Sequence, residues 1–304
     1  MRVHVILICA AIIVAVVFEG GFSRTMNEDI VNQPDSYLAF STNTDPGEYI
    51  KLYEKLPDDL AELCALIKKQ MIHPTRIGDF PELEGLGSED TQFYSVKEML
   101  AELVKRNPSG LVISRAPKER LRVSCRFHAM LLASILKSKK IPARVRVGFA
   151  PYLVPPGYDK SVDHWICEVW NKDGQRWMLV DPDIQKIDFP RPEFEFAGDV
   201  WLKLRSDRDG ERAGERYGVG QWWGREYVKA NLLHDLFCVM NNELIYWEGC
   251  ELARKSIPSM DKSDLALLDN IAKLLKNPDE NYRELKTVFA DKRLGDVKDH
   301  ARYE

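Results

Sequence analysis

The 304-residue chain has no CxxC pair, and its six histidines are scattered. A zinc site of the usual ligand spacing is therefore not expected. There is no internal repeat and no low-complexity tract. Positive charge is not in excess: 43 Lys and Arg stand against 47 Asp and Glu, a formal net charge of −4. That balance lacks the basic face by which proteins bind nucleic acid, so no nucleic-acid partner is expected. The glycines of "ERAGERYGVGQWWG" (211–224) lack the strand–GxGxxG–helix setting of a dinucleotide loop. Neither a metal nor an organic cofactor is implied. Cysteine is also sparse for a disulfide scaffold, which is normally short and cysteine-dense. Cys9, Cys64, Cys125, Cys167, Cys238 and Cys250 read as reduced thiols.

No apolar run reaches bilayer length. "VILICAAIIVAVVF" (5–18) would make a helix of about 21 Å, short of a hydrocarbon core of about 30 Å. It suits a signal-peptide core with Arg2 as a thin basic start, yet "EGGFSR" (19–24) holds no A-x-A-like cleavage site. A start at Met26, with "MNEDIVNQPDSYLAF" as a soluble beginning, is the other reading. Residues 1–25 are set apart on these grounds, as a signal or anchor segment or an upstream extension. Residues 26–304 are expected to form a single domain, with a core over about 95–190 and a helical part over 191–304. A cytoplasmic location follows from a start near Met26. Export or membrane association follows if residues 5–18 are genuine and kept as an anchor.

With 45% apolar residues, the remainder can bury a substantial core. "PDDLAELCALIKKQMIHP" (57–74) carries Leu60, Leu63, Cys64 and Ile67 at helical spacing and is predicted to stop before Pro74. "YSVKEMLAELVKRNPSG" (94–110) is predicted as a helix capped by Ser95 and ended by Pro108 and Gly110. A third helix runs from Ser124 to about Lys139, with Met130, Leu131, Ile135 and Leu136 toward the core. The period then changes to alternation. "ARVRVGFA" (143–150) reads as a strand with its arginine face wet. "DHWICEVW" (163–170) and "QRWMLVDPD" (175–183) read as two strands joined by the turn "NKDG" (171–174). Helices return at 225–242 and at 263–277, the latter capped by Ser263. Helices, an antiparallel sheet, and helices again make the fold α+β.

Cys125 stands at the start of the third helix, between Ser124 and Arg126. Unpaired N–H groups and the helix dipole favour an anion there, so a thiolate is stabilised and an oxyanion has donors nearby. The bland alternative is a buried, inert thiol. A nucleophile needs a base, and the base an orienting acceptor. If Asn171 pairs with Gly174, His164 lies directly opposite Asp181 on the same face of the hairpin. Asp181 ends an apolar run before Pro182, where a strand stops and a cleft can open. Other candidates weigh less. His128 shares the helix face of Cys125 but would lie alongside the thiol. Cys167 and Asp163 fall on the opposite face from His164. Trp165, Trp222 and Trp223 are candidate substrate-groove residues, though large aromatics more often belong to the core or its rim. His234 and Asp235 read as surface or packing residues.

The order Cys, His, Asp in "CRFHAMLLASILKSKKIPARVRVGFA", "DHWICEVW" and "RWMLVDPD" resembles the transglutaminase-like superfamily. The likeness is strongest from about Val123 to Asp183. It implies a papain-like α+β core with the nucleophile at a helix N-terminus, packed on a sheet that carries the histidine and aspartate. It also implies Cys125 as nucleophile, His164 as base and Asp181 as orienting acid. The expected activity is acyl transfer from a carboxamide or peptide bond of a protein or peptide substrate, through a thioester, to water or an amine. Hydrolysis would make the chain a cysteine protease or amidase, and transfer a protein-glutamine acyltransferase. Two departures stand out: Arg126 follows the cysteine where the family has an aromatic residue, and Val123-Ser124 precede it where the family has Gly-Gln. The side-chain half of the oxyanion hole is thereby unassigned. The alternative is a non-catalytic binding module on the same scaffold, whose signature would be loss of one of the three residues.

Overall fold

The computed structural model describes residues 33–299, and side chains for 34–297. The apolar run at 5–18 and the alternatives for residues 1–25 lie outside the described residues, and so does Cys9. Among the described residues no helix is long and apolar enough to cross a membrane.

Asp59 accepts the Glu62 N–H at 2.9 Å and opens α1 (Leu60–Lys68), which buries Leu63, Cys64 and Ile67. This helix stops earlier than its periodicity suggests. Met71 and Ile72 leave it as β1 (Met71–Ile72) to pair in parallel with β2 (Leu121–Arg122), some fifty residues on. Helical spacing cannot report a partner that far away. α2 (Val96–Arg106) follows the sequence closely: Ser95 and Glu98 form a capping box that satisfies two of the end N–H groups. Directly after β2 comes α3 (Cys125–Ser138), whose side chains from Cys125 through Lys137 are all buried. It is a central helix rather than a surface one, so the one-sided stripe of Met130, Leu131, Ile135 and Leu136 understates its burial.

The sheet follows as β3 (Ala143–Ala150), β4 (Ser161–Asn171), β5 (Arg176–Asp181), β6 (Lys186–Phe189) and β7 (Glu195–Phe196). Its order is β6-β5-β4-β3-β7, with every pairing in that path antiparallel. Val145, Val147, Trp165, Cys167, Val169 and Val180 share a core with α3. At Gly148, where β3 meets β7, a Cβ would stand 2.4 Å from the Glu195 carbonyl, so only glycine permits that close approach.

Two expectations about the sheet are corrected. The turn between β4 and β5 occupies residues 172–175, because Asn171 pairs with Arg176 rather than with Gly174. Asn171 closes it through its own side chain, which accepts the Gly174 N–H at 2.9 Å, and Gln175 takes a φ of 47°. The arginine face of β3 is not wet. Arg146 donates to both oxygens of Asp235, at 2.8 and 2.9 Å, and to Glu168 at 2.9 Å. Arg144 donates to Glu168 at 2.6 Å and to Asp279 at 2.5 Å. The acids that neutralise this face come from β4, from one of the C-terminal helices (Asp235) and from a turn between two others (Asp279), which alternation within β3 cannot reveal.

Those helices are α4 (Ala197–Ser206), the short α5 (Gly210–Gly214), α6 (Arg225–Val239), the short α7 (Glu251–Arg254), α8 (Lys262–Leu274) and α9 (Tyr282–Phe289). Between α5 and α6, β8 (Tyr217–Val219) and β9 (Trp222–Trp223) form a hairpin, and β8 pairs in parallel with the start of β4. α8 is capped by Asp261, two residues before the expected Ser263. α6 lies along the part of β3's outer edge that the short β7 leaves open, where Asp235 also accepts the Val147 N–H at 2.9 Å. A surface or packing role for Asp235 is thus replaced by that of a buried counter-ion. Helices, a largely antiparallel sheet and further helices make the chain α+β, as its pattern indicates.

Removing Asp235 leaves Arg146 buried with only Glu168. Asp235→Ala should therefore lower the unfolding free energy by about 3–5 kcal/mol in urea titrations. A loss under about 1 kcal/mol would show that this pair is dispensable.

Candidate functional site

Cys125 is positioned by the residues that precede it. Val123 N–H donates to the Ile72 carbonyl at 3.0 Å, so the β1–β2 ribbon fixes the run-in. Ser124 takes an extended conformation as N-cap. Its N–H donates to Asp90 Oδ1 at 2.8 Å, and its hydroxyl meets the Tyr246 hydroxyl at 2.5 Å. On the other side, Arg126 turns away from the thiol and donates to the carbonyls of Leu244, Tyr94 and Glu243 at 2.9, 3.1 and 2.5 Å. The guanidinium in the aromatic position thus clamps two segments, at Tyr94 and at Glu243–Leu244, to the start of α3. Cys125 itself is 5% exposed.

His164 and Asp181 come from β4 and the end of β5. One edge of β4 is taken entirely by β3. The other is divided: β5 pairs with Cys167–Asn171 and β8 with Ser161–Val162, leaving 163–166 unpaired on that side. His164 lies in this interval, and its Nε2 is 2.7 Å from Asp181 Oδ2. With that nitrogen engaged, Nδ1 is the ring nitrogen left over, and the imidazole and the Cys125 thiol are close enough to shift each other's protonation. The Tyr152 hydroxyl donates to the same Asp181 oxygen at 2.9 Å. Asp181 Oδ1 accepts from the Asp183 and Ile184 N–H groups at 3.1 and 3.4 Å. The carboxylate is fully buried, and each of its oxygens is occupied.

The charges respond accordingly. Burial pushes the Cys125 thiol up, while the His164 imidazole opposes that shift through its charge and its hydrogen bond. Burial alone would lower His164, but the Asp181 carboxylate and the Cys125 thiol outweigh it and hold the imidazole well above its ordinary value. Burial would raise Asp181, yet His164 and the Tyr152 hydrogen bond leave it below the usual carboxylate range. Cys64, by contrast, is raised by burial to about 12, and Cys167 is raised well above an ordinary thiol by the same cause. All five described cysteines are unpaired thiols.

The remaining candidates separate. Trp165 is fully buried and packs edge-on against Tyr246 at 5.6 Å, so it is a core residue and not a groove wall. Trp222 is 40% exposed. Trp223 donates to the Gly220 carbonyl at 2.7 Å and carries the Lys160 ammonium over its ring at 4.7 Å. Both sit on the hairpin that joins β4 just before His164. Cys167 donates to the Ala129 carbonyl inside the core. His128 has its Nδ1 3.1 Å from the Ser124 carbonyl. Asp163 accepts from Asn231 at 2.6 Å and Tyr227 at 3.1 Å. Among the described residues no group of His, Cys, Asp and Glu is arranged to hold a metal ion. A cavity of about 520 Å³ lies elsewhere, lined by Arg144, Glu168, Trp177 and Asp279 among others.

Sequence reasoning missed Tyr152, Tyr246, Asp90, His73 and Asp183. Tyr152 follows the end of β3, and only folding brings its hydroxyl to Asp181. Asp183 was visible in "LVDPD", but nothing local distinguishes it from a turn carboxylate.

No family model matches the chain, and no curated protein matches it. Among solved structures, one from Cytophaga hutchinsonii described as "a Putative Cysteine Protease" is similar to it at 18% identity and a TM-score of 0.34. The match covers 56% of this chain and 50% of that one.

Burial raises Asp163 to about 6, against roughly 3.9 for an unfolded aspartate. An acid held up by the fold contributes stability that is complete below its unfolded value and lost as pH rises through the folded one. Asp163→Asn should therefore gain on the native protein between pH 4 and pH 7, by on the order of 3 kcal/mol. Urea unfolding of both proteins across that range measures it, and a difference independent of pH would refute it.

Proposed function

We propose that the chain is a cysteine-dependent acyl-transfer enzyme acting on amide bonds of a protein or peptide substrate. The observation that supports this most directly is the contiguous row of carboxylate, imidazole and thiol ending at a helix N-terminus. Asp181 is 2.7 Å from His164 Nε2, and His164 is near enough to the Cys125 thiol at the start of α3 to pull its pKa down against burial. The resemblance of the three sequence segments to the transglutaminase-like superfamily points the same way.

In this reading His164 takes the Cys125 proton, and the resulting thiolate attacks the amide carbonyl carbon. The carbonyl π electrons move onto oxygen, where N–H groups at the first turn of α3 receive the charge. Collapse of the intermediate breaks the C–N bond, and the imidazolium gives its proton to the leaving amine. The thioester then passes its acyl group to water or to an amine, with His164 removing the proton of the incoming nucleophile. Asp181 keeps the ring oriented and stabilises the imidazolium without itself being protonated. Tyr152 holds the Asp181 oxygen that receives His164. Cys125 and His164 are 5% and 2% exposed, so a substrate must displace part of the cover. The degree to which water is kept out decides between the two acceptors.

Alkylation of Cys125 by iodoacetamide, followed by peptide mass spectrometry across pH, tests the pairing. His164 acts to lower the thiol, so His164→Ala should move the alkylation midpoint upward by one pH unit or more, about tenfold in rate at a fixed pH below it. Asp181→Asn should move it the same way. A Cys125 midpoint untouched by either substitution would leave the site without an activated nucleophile and favour the binding-module alternative.

A further inference from the structure

Asp183 stands two residues beyond Asp181 and is tied to it through its own N–H. Its side chain is 10% exposed and accepts no hydrogen bond among the described residues. Two imidazoles face it, His128 Nε2 at 3.8 Å from Oδ1 and His73 Nε2 at 3.9 Å from Oδ2. Both distances exceed hydrogen-bonding reach. Neither ring supplies a charge in its neutral form. His73 Nδ1 accepts the Thr75 N–H at 3.3 Å, and burial lowers this histidine to about 4. His128 Nδ1 lies 3.1 Å from the Ser124 carbonyl, with its Nε2 turned toward Asp183. A carboxylate so deeply placed ordinarily has a cation or several donors. This one acts directly on the site, since its charge helps to raise the Cys125 thiol.

We infer that Asp183 is the receptor for a cationic group of the substrate, an ammonium or guanidinium brought beside Cys125. The inference rests on Cys125 being the nucleophile. The cation belongs either to a basic side chain next to the reacting carbonyl or to the primary amine that accepts the acyl group. Both would satisfy the carboxylate with charge-assisted hydrogen bonds, and a substrate lacking the cation would leave it buried and unmet.

Charge selectivity at Cys125 in the full chain tests this without a known substrate. The probes are 2-aminoethyl methanethiosulfonate, which is cationic, and methyl methanethiosulfonate, which is neutral. In each, the thiolate attacks the sulfenyl sulfur, a disulfide forms and methanesulfinate leaves. The ratio of the two rates cancels the thiol's own basicity and accessibility. Relative to 2-mercaptoethanol, the cationic-to-neutral ratio at Cys125 should be about tenfold higher, as expected for one nearby opposite charge. Asp183→Asn should return it to the reference. In the native protein, n-butylamine should slow modification by the neutral reagent, and n-butanol should not.

Acylation by Nα-acetyl-lysine p-nitrophenyl ester in preference to the norleucine ester assigns the cation to the acyl side. A preference for n-butylamine over n-butanol in the turnover of p-nitrophenyl acetate that Asp183→Asn reduces assigns it to the acceptor. Absence of both preferences, or equal ratios in the native protein and Asp183→Asn, overturns the proposal while leaving a reactive Cys125 intact. A Cys125 inert to every reagent overturns the nucleophile reading, and this one with it.

Discussion

The candidate site depends on the way β4 shares its second edge. β5 takes one end of that edge and β8 the other, and the four residues between, 163–166, have no strand beside them among the described residues. A continuous neighbour there would close the sheet over the position where His164 meets Asp181 and the start of α3. The interval stays open because β5 ends at Asp181, just before Pro182, which has no N–H to extend a ladder. The same break that ends the strand leaves Asp181 at its tip, one oxygen turned to the N–H groups just beyond it and the other to Tyr152 and His164.

That opening has to be held in a fixed frame, and buried charge does much of the holding. Arg144 and Arg146 on β3 join Glu168 of β4 to Asp235 of α6 and to Asp279. Asp235 also takes a main-chain N–H from the edge of β3, so α6 covers a strand edge that would otherwise be free to pair. Arg126 performs a related task at the other end, drawing the segments at Tyr94 and Glu243–Leu244 onto the first turn of α3. Its place directly after Cys125 is therefore a packing solution, in which three carbonyls rather than a carboxylate receive the guanidinium. Thiol, imidazole and carboxylate thus sit in a nearly closed, low-exposure setting, where electrostatic effects are strong.

Much of the helical frame was legible in the sequence. Ser95 and Glu98 cap α2 as their spacing implies, and Cys125 does begin a helix after an extended Ser124. Caps and first-turn positions are local, so they need no partner elsewhere. The parts that were not legible are those whose partner is remote. β1 reads as the tail of a helix until Leu121 and Arg122 are beside it. The arginines of β3 read as a wet face until acids from three other places meet them. Trp165 reads as a groove candidate until the core closes over it.

The hairpin shows where the division falls. Alternation by itself determined that His164 and Asp181 share a face, because residues separated by an even shift of register stay on one side of a sheet. It did not determine their pairing. Asn171 and Gln175 shape a longer turn than expected, which carries Asp181 one step past its last paired neighbour, toward Ile166 and diagonal to His164. Two flexible side chains bridge that diagonal at 2.7 Å. The residue types, their order and their common face belong to the sequence. The contact between them, the Tyr152 hydroxyl on Asp181 and the placing of Asp183 between the imidazoles of His73 and His128 were decided only when distant segments packed together, because each depends on atoms the local chain does not contain.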